Sequence, residues 1–305
     1  MNNPRIIVIA GPTASGKTSL AIKLAKETDG EIINADSLQV YKENPILSAQ
    51  PSIQERDGIN HHLFGYVNGD QEYNVARWIN DAVREVKSLN KVAILVGGTG
   101  FYIKHLIFGL SHVPDIDAEV RNQARELFDK VGAIEFHKLL EKIDPESAAK
   151  LEPNNGNRTI RAYEVMLSTG KTISYWQQQN VSYFPIESFK LVVLQPDREK
   201  LYKNCNQRFL DMLDSGALDE VKYLLKQNYN PSTGIMKSHG VPELSKYLLG
   251  EWSLDEAIEK SQQVVRNYAK RQTTWFKHQF NHPQLKSYFT SNQEGEFGKI
   301  LDFIS

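Results

Sequence analysis

Residues 11–18 read GPTASGKT; an apolar run, PRIIVIA (4–10), precedes them and a helix-like run, SLAIKLAKE (19–27), follows. A G-x-x-x-x-G-K-[ST] octet between a strand and a helix is a phosphate-binding loop. Its glycines let backbone N–H groups close on phosphate oxygens, and the helix N-terminus behind them adds partial positive charge. Gly11, Pro12, Thr13, Ala14, Ser15, Gly16, Lys17 and Thr18 therefore form a candidate phosphate cradle. In a nucleoside triphosphatase of this type, Lys17 would reach the β- and γ-phosphates and Thr18 would hold Mg2+. Most such loops bind a nucleoside triphosphate, and only the rest of the chain can say whether this one does.

Three further apolar runs, EIINA (31–35), VAILVGG (92–98) and KLVVLQ (190–195), join RIIVIA (5–10) as buried parallel strands. Helical patterns separate the first three, as a parallel α/β sheet requires. The gap between the third and fourth is too long for one crossover. It holds only helical periodicity: DAEVRNQARELFDKV (117–131), AIEFHKLLEKI (133–143), PESAAKLE (145–152) and NRTIRAYEVMLSTGK (157–171). Residues 115–187 thus read as an all-helical insertion, edged by Pro114 and SYFPIESF (182–189), in an α/β core made of 1–114 and 188–305. More helices are expected from the fourth strand to residue 280, followed by a loose polar tail.

The 305-residue chain is 40% hydrophobic and 24% charged, ordinary for an enzyme with a proper core. A net charge of −1 means that any nucleic-acid binding must come from local basic patches. The single cysteine, Cys205, excludes an internal disulfide framework and suits a reducing cytosol. No apolar stretch approaches the roughly 18 residues of a membrane span, and the N-terminal run is too short for a secretory signal. A soluble cytoplasmic protein is expected.

The loop lacks its usual partner. A second acid normally ends another strand and supports the metal, yet VAILVGGTG ends in glycines and Thr99. The acid at a strand's carboxyl end is instead Asp36, in ADSLQVY. Ligand crevices of open α/β sheets lie at that edge, where a carboxylate can bind metal or act as a general base; an N-cap or turn role is the plain alternative. Thr99, in GGTG (97–100), is either part of a turn or a hydroxyl donor to a bound phosphate. Arg208 shares a helix stripe with Leu201, Cys205 and Met212. An arginine there is either snorkelling at the margin or paired with an anion in a cleft.

GPTASGKT, NADSLQVYKE, LVGGTGFYIKHLIFGL, NQRFLDML and NYAKRQTTWFKHQF, in this order, resemble the bacterial tRNA dimethylallyltransferases, over nearly the whole chain. The resemblance implies a P-loop nucleoside-kinase-like core whose loop holds the diphosphate of dimethylallyl diphosphate. The acceptor it implies is N6 of adenosine 37 in tRNAs reading codons that begin with U. Asp36 would accept the N6 proton, a service worth about two to four orders of magnitude. Lys17, Thr18 with Mg2+, Thr99 and Arg208 would clamp the departing diphosphate. The adenine would be flipped out of its stack, and Asp36, Ser37, Leu38 and Gln39 would form the turn that contacts it. Gln39 suits an adenine edge, whereas Ser37 and Leu38 also fit plain turn and core packing.

Phosphate contacts dominate nucleic-acid affinity, and Ser261–Gln293 holds five Lys/Arg and no acid. Arg266, Lys270 and Lys277 share one helix face there, and Arg271 adjoins it. The resemblance also assigns Arg121 and the segment Asn157, Arg158, Thr159, Ile160 and Arg161 to tRNA; otherwise those arginines are ordinary surface residues. It suggests a monomer. Two stretches depart from the family pattern: LSAQPS (47–52) places Gln50 where a lysine is usual, and Gly240-Val241 replaces Gly-Tyr. His61 and His62 are adjacent and face opposite ways, Cys205 reads as core, and Trp176 and Trp252 read as packing residues. The rival readings are a prenyltransferase acting on free adenine nucleotides, a small-molecule kinase, and a non-catalytic RNA-binding module.

Overall fold

The computed structural model describes residues 4–111, 113–291 and 295–305, so positions 292 and 293 of the acid-free stretch lie outside the described residues. In chain order the elements are β1 (Ile6–Ala10), α1 (Lys17–Thr28), β2 (Gly30–Asn34), β3 (His61–His62), α2 (Val75–Ser88), β4 (Val92–Gly97), α3 (Gly100–Phe108), β5 (Leu110–Ser111), α4 (Ala118–Ile143), α5 (Pro145–Lys150), α6 (Gly156–Thr169), α7 (Ile173–Gln177), β6 (Asn180–Val181), β7 (Phe189–Leu194), α8 (Arg198–Asp214), α9 (Ala217–Lys226), α10 (Val241–Leu248), α11 (Leu254–Gln279), β8 (Lys286–Thr290) and α12 (Phe297–Ile304). They fall into two compact units, residues 1–107 with 183–305, and residues 108–182.

The larger unit is built on a six-stranded sheet ordered β3-β2-β4-β1-β7-β8, with every pairing parallel. The expected strands are β1, β2, β4 and β7. Their near-continuous Ile/Val/Leu runs are buried because helices cover both faces of such a sheet. On one face Leu20, Ala21, Leu24 and Ala25 of α1 pack with Ile300 and Ile304 of α12 against Ile7, Ile9, Ile94 and Val192. Each buried Ile or Leu contributes about 1.5–3 kcal/mol. A separate helical core gathers Phe209 of α8, Val221 and Leu224 of α9, Leu244 of α10 and Ala257 of α11 around Val40, Tyr41 and Leu47.

The tail after residue 280 is not loose. β8 pairs with β7 from Lys190↔Lys286 to Leu194↔Thr290, and α12 packs on the sheet face, stacking Phe303 on Tyr288 with ring centroids 5.5 Å apart. The half-exposed alternation of KSYFT hid this strand from a reading tuned to buried runs. β3 was missed because it is only two residues long. Its histidines do face opposite ways: His62 pairs with Glu31 at 2.7 Å and Glu85 at 3.2 Å, while His61 Nδ1 meets the Ile59 carbonyl at 2.8 Å.

The smaller unit begins at 108 and ends at 182, rather than at 115 and 187. Besides its helices it carries a two-residue antiparallel ladder, β5 with β6. α4 is broken at Gly132, φ +79, between the two periodic stretches seen in sequence. Phe136, Ile160 and Ala124 form one core cluster of this unit, and Leu140, Ala148 and Ala162 another.

Candidate active site

The phosphate loop leaves β1 through Gly11, where a Cβ would come within 2.8 Å of the Leu194 carbonyl oxygen on β7. Ala14 and Gly16 take positive φ, 59° and 88°. Gly16 is the N-cap of α1 and supplies no side-chain cap, so the first-turn N–H groups lack an intrahelical acceptor, as an anion-binding helix terminus requires. Ser15 Oγ is buried beside them without a hydrogen-bond partner. Lys17 Nζ donates to the Pro12 carbonyl at 2.7 Å. Burial lowers its pKa to about 8 against the opposing pull of Asp36, with Arg208 pushing the same way as burial. An open cleft of about 1120 Å3 is lined by Thr13, Lys17, Thr18, Asp36, Gln39 and Arg208 among others.

Asp36 is held as a turn residue and as a cleft residue together. Asn34, fully buried at the end of β2, accepts from Asp36 N at 2.8 Å and donates to its carbonyl at 2.9 Å and to that of Leu63 at 3.0 Å. The Asn34 carbonyl takes the Trp78 indole N–H at 2.8 Å. Asp36 Oδ1 accepts from Leu38 N at 3.0 Å, which fixes the side chain's direction. Its Oδ2 then lies over Gly98, where a Cβ would sit 3.3 Å away. Sequence reasoning overlooked Asn34; the signal is a lone amide closing an apolar strand, since a buried amide needs partners.

The GGTG turn has a reason for each glycine. A Cβ on Gly97 would meet the Ala35 backbone at 2.0 Å, one on Gly98 the Gln272 amide at 2.4 Å, and one on Gly100 the Trp275 ring at 2.2 Å. Thr99 Oγ1 accepts from Ser37 N at 2.9 Å and donates to Ser37 Oγ at 3.2 Å, so these two predicted residues meet. Arg208 is not a snorkelling residue: it lines the cleft, and its Nη1 donates to Thr13 Oγ1 at 3.4 Å. Burial presses its pKa down, and Cys205 and Asp36 push it back up. Cys205 is core, 1% exposed, against Leu201 and Ala269.

On α11, Gln272 and Tyr268 come into the site. Gln272 Oε1 accepts from Thr13 N at 2.9 Å and its Nε2 donates to the Gly98 carbonyl at 2.8 Å. The Tyr268 phenol sits against Thr99 and Gln272, its pKa raised by burial and by the charge of Asp36. The His239 ring lies 4.3 Å from that of Tyr268, and burial lowers its pKa. On the same helix Lys270, Arg271, Trp275 and His278 line a groove of about 490 Å3.

Several sequence assignments need correction. Gln39 is not free to read a base with its amide nitrogen, which donates to the Ser48 and Ala49 carbonyls at 3.0 and 2.7 Å. Arg266 is held against α8, donating to Asn206 Oδ1 at 2.6 Å and to Gln263 Oε1 at 2.8 Å; it is partly buried, whereas Lys270 is exposed. In the smaller unit Thr159 and Ile160 are buried, 0% and 5% exposed. Thr159 Oγ1 bonds the Asn155 carbonyl, and Ile160 packs on Phe136 and Ala124, so neither side chain is presented to a partner at the surface. Asn157, Arg158 and Arg121 are exposed, and Arg161 lies 3.5 Å from Glu164. Leu38 is partly buried. Gln50 donates to the Tyr41 carbonyl at 2.7 Å, and Gly240 caps α10 with Val241 fully buried, so both departures serve local structure. Trp176 donates to Thr169 Oγ1 at 3.1 Å and Trp252 lies under Lys246; both are packing residues. Among the described residues no three His, Cys, Asp or Glu side chains gather to hold a metal, and no helix is long and apolar enough to cross a membrane.

A tRNA dimethylallyltransferase of Ehrlichia chaffeensis is 45% identical over 285 residues, 92% of each chain. One of Rickettsia bellii is 40% identical over 301 residues, 96% of this chain and 94% of that one. Among solved structures, the full-length tRNA isopentenylpyrophosphate transferase of Bacillus halodurans superposes with TM-score 0.69 at 31% identity, covering 98% of this chain and 94% of that one. A eukaryotic dimethylallyltransferase acting on tRNA superposes with TM-score 0.79 at 28% identity, covering 96% and 75%. The IPP transferase family model matches residues 39–279. With its strand-end acid beside a phosphate loop and these relatives along its length, the chain belongs to the IPP transferase family.

Proposed function

We propose that this protein transfers a dimethylallyl group from dimethylallyl diphosphate to N6 of adenosine 37 in tRNAs reading codons that begin with U. The observation that carries this reading is a single cleft lined by both the phosphate loop and Asp36. The adenine amine is a weak nucleophile because its lone pair is delocalised into the ring, and a carboxylate beside the phosphate site suits the removal of its proton. N6 attacks the allylic C1, the C1–O bond to diphosphate breaks, and the N6 proton passes to Asp36. The leaving diphosphate gathers charge in the loop amides, against Lys17 and Arg208, where fixed donors stabilise it without reorganisation. Thr99 is locked to Ser37, so reaching the leaving diphosphate would require its hydroxyl hydrogen to turn from Ser37.

The donor set suits Mg2+, which takes one or two protein oxygens together with substrate phosphates and needs no all-protein cage. The partnerless Ser15 hydroxyl and the uncapped α1 terminus fit the phosphates, and Thr18 would hold the ion. When bound, Mg2+ would neutralise charge on the departing diphosphate. For RNA, the exposed Lys270 and Arg271 on α11, and Arg121, Asn157 and Arg158 in the smaller unit, would carry phosphate contacts. The protein is expected to act in the cytoplasm as a monomer.

The test supplies Mg2+, labelled dimethylallyl diphosphate and an unmodified tRNA with adenosines at positions 36–38. Parallel reactions use AMP, a tRNA with guanosine at position 37, and Asp36→Ala protein. Label entering only the adenosine-37 tRNA, and lost with Asp36→Ala, is the expected result. Label entering AMP would instead make the protein a nucleotide prenyltransferase.

A further inference from the structure

We propose that Gln272 is a positioning residue that holds the diphosphate loop and the Thr99 turn in register; the inference rests on the transferase reading above. A primary amide offers both donors and an acceptor, and here each end grips a different loop. Thr13 N can only donate and the Gly98 carbonyl can only accept, so the amide has one productive orientation: Oε1 to Thr13 at 2.9 Å, Nε2 to Gly98 at 2.8 Å. The residue is 5% exposed, and burial makes both bonds hard to replace by water.

The opposing loops are shaped to receive it. Gly98 leaves no room for a Cβ, which would sit 2.4 Å from Gln272 Nε2, and Gly100 is cut back in the same way for Trp275. Tyr268, one turn before Gln272, presses its phenol against Thr99. Tyr268, Gln272 and Trp275, at i, i+4 and i+7, therefore seat one face of α11 on the turn that carries Thr99. Thr13 is meanwhile held from two sides, its amide by Gln272 and its hydroxyl by Arg208. The distance between the diphosphate and the acceptor amine depends on the spacing of these two loops, and a misplacement of about 1 Å costs on the order of 100-fold in rate.

The variants are Gln272→Met, which keeps length and loses both bonds, and Gln272→Glu, which keeps shape but sets an acceptor against the Gly98 carbonyl. Transfer is assayed with dimethylallyl diphosphate and an adenosine-37 tRNA, and tRNA affinity and thermal melting are measured in parallel. We expect kcat to fall about 100-fold in Gln272→Met and further in Gln272→Glu, with a raised KM for dimethylallyl diphosphate. The tRNA Kd should stay within about threefold, because Lys270 and Arg271 are untouched. Gly98→Ala should lose a similar factor, and combining it with Gln272→Met should cost little more than either alone, since both break the same link. Wild-type transfer with unimpaired Gln272→Met and Gln272→Glu kcat would overturn the inference. So would a kcat loss matched by equal losses of tRNA affinity and melting temperature, which marks a purely structural role. Absence of transfer by the wild-type protein would instead overturn the functional reading itself.

Discussion

Lys17 carries opposite consequences for binding and for stability. Its pKa falls from 10.5 to about 8, chiefly because the side chain is buried. Below that pH it is a cation facing the diphosphate site; above it the free protein loses the charge. We therefore predict that kcat/KM for dimethylallyl diphosphate is flat up to about pH 8 and then falls about tenfold per unit, as for loss of one essential proton. Lys17→Arg, charged throughout, should be slower but lack that descent; pH profiles of the two proteins check it. For folding the sign reverses. Between about pH 8 and 10.5 the unfolded chain binds the proton more tightly than the folded one, so this group's contribution to stability rises with pH across that window. At this scale the sequence was most legible where chemistry is written in the residue type: Lys17, Thr18, Asp36 and Arg208 all line the cleft. It did not reveal that the Gln39 amide bonds the Ser48 and Ala49 carbonyls or that Arg266 bonds Asn206, because a side chain's type does not say which partner claims it first.

The sheet edge works because β2 and β4 end in residues that let backbones touch. Gly97→Ala would push a methyl into the Ala35 backbone, 2.0 Å away. Strands cannot give way as flexible side chains do, so we predict a loss of at least about 1–3 kcal/mol in urea unfolding, together with loss of transfer. Trp78→Phe isolates a different link. It removes the indole N–H from the Asn34 carbonyl while keeping an aromatic ring where Trp78 stacks on Tyr102. An unpaired buried carbonyl costs about 1–3 kcal/mol, and a melting temperature lowered accordingly, with tRNA affinity kept, is the expected outcome. The strands and helices of this edge could be read from period and composition. The Asn34 clamp and the α11 contacts could not, since Asn34 and Gln272 meet partners 29 and 174 residues away.

Across the whole chain a net charge of −1 leaves RNA binding to local cations. Arg158→Ala and Arg121→Ala should weaken tRNA binding and flatten its salt dependence by about one unit of slope for each phosphate no longer neutralised, with melting unchanged. Ile160→Ala should do the reverse, destabilising the smaller unit by about 2–5 kcal/mol through its cavity. Binding titrations from low to high salt, set beside thermal melts, separate the two. Equal effects of Arg158→Ala and Ile160→Ala on salt slope would refute the division of this segment into an outward arginine and an inward isoleucine.

The sequence alone determined the α/β class, the four central strands and the place of the phosphate loop between a strand and a helix. Each is local: a period, a run of apolar residues or a motif whose geometry is built within a few positions. Tertiary structure alone decided that β8 and α12 finish the sheet, that Thr159 and Ile160 point inward, that Asn34 clamps the Asp36 turn and that Gln272 bridges the phosphate loop and the GGTG turn. Burial and hydrogen-bond partnership are properties of what the folded chain brings alongside a residue, and sequence spacing does not encode them.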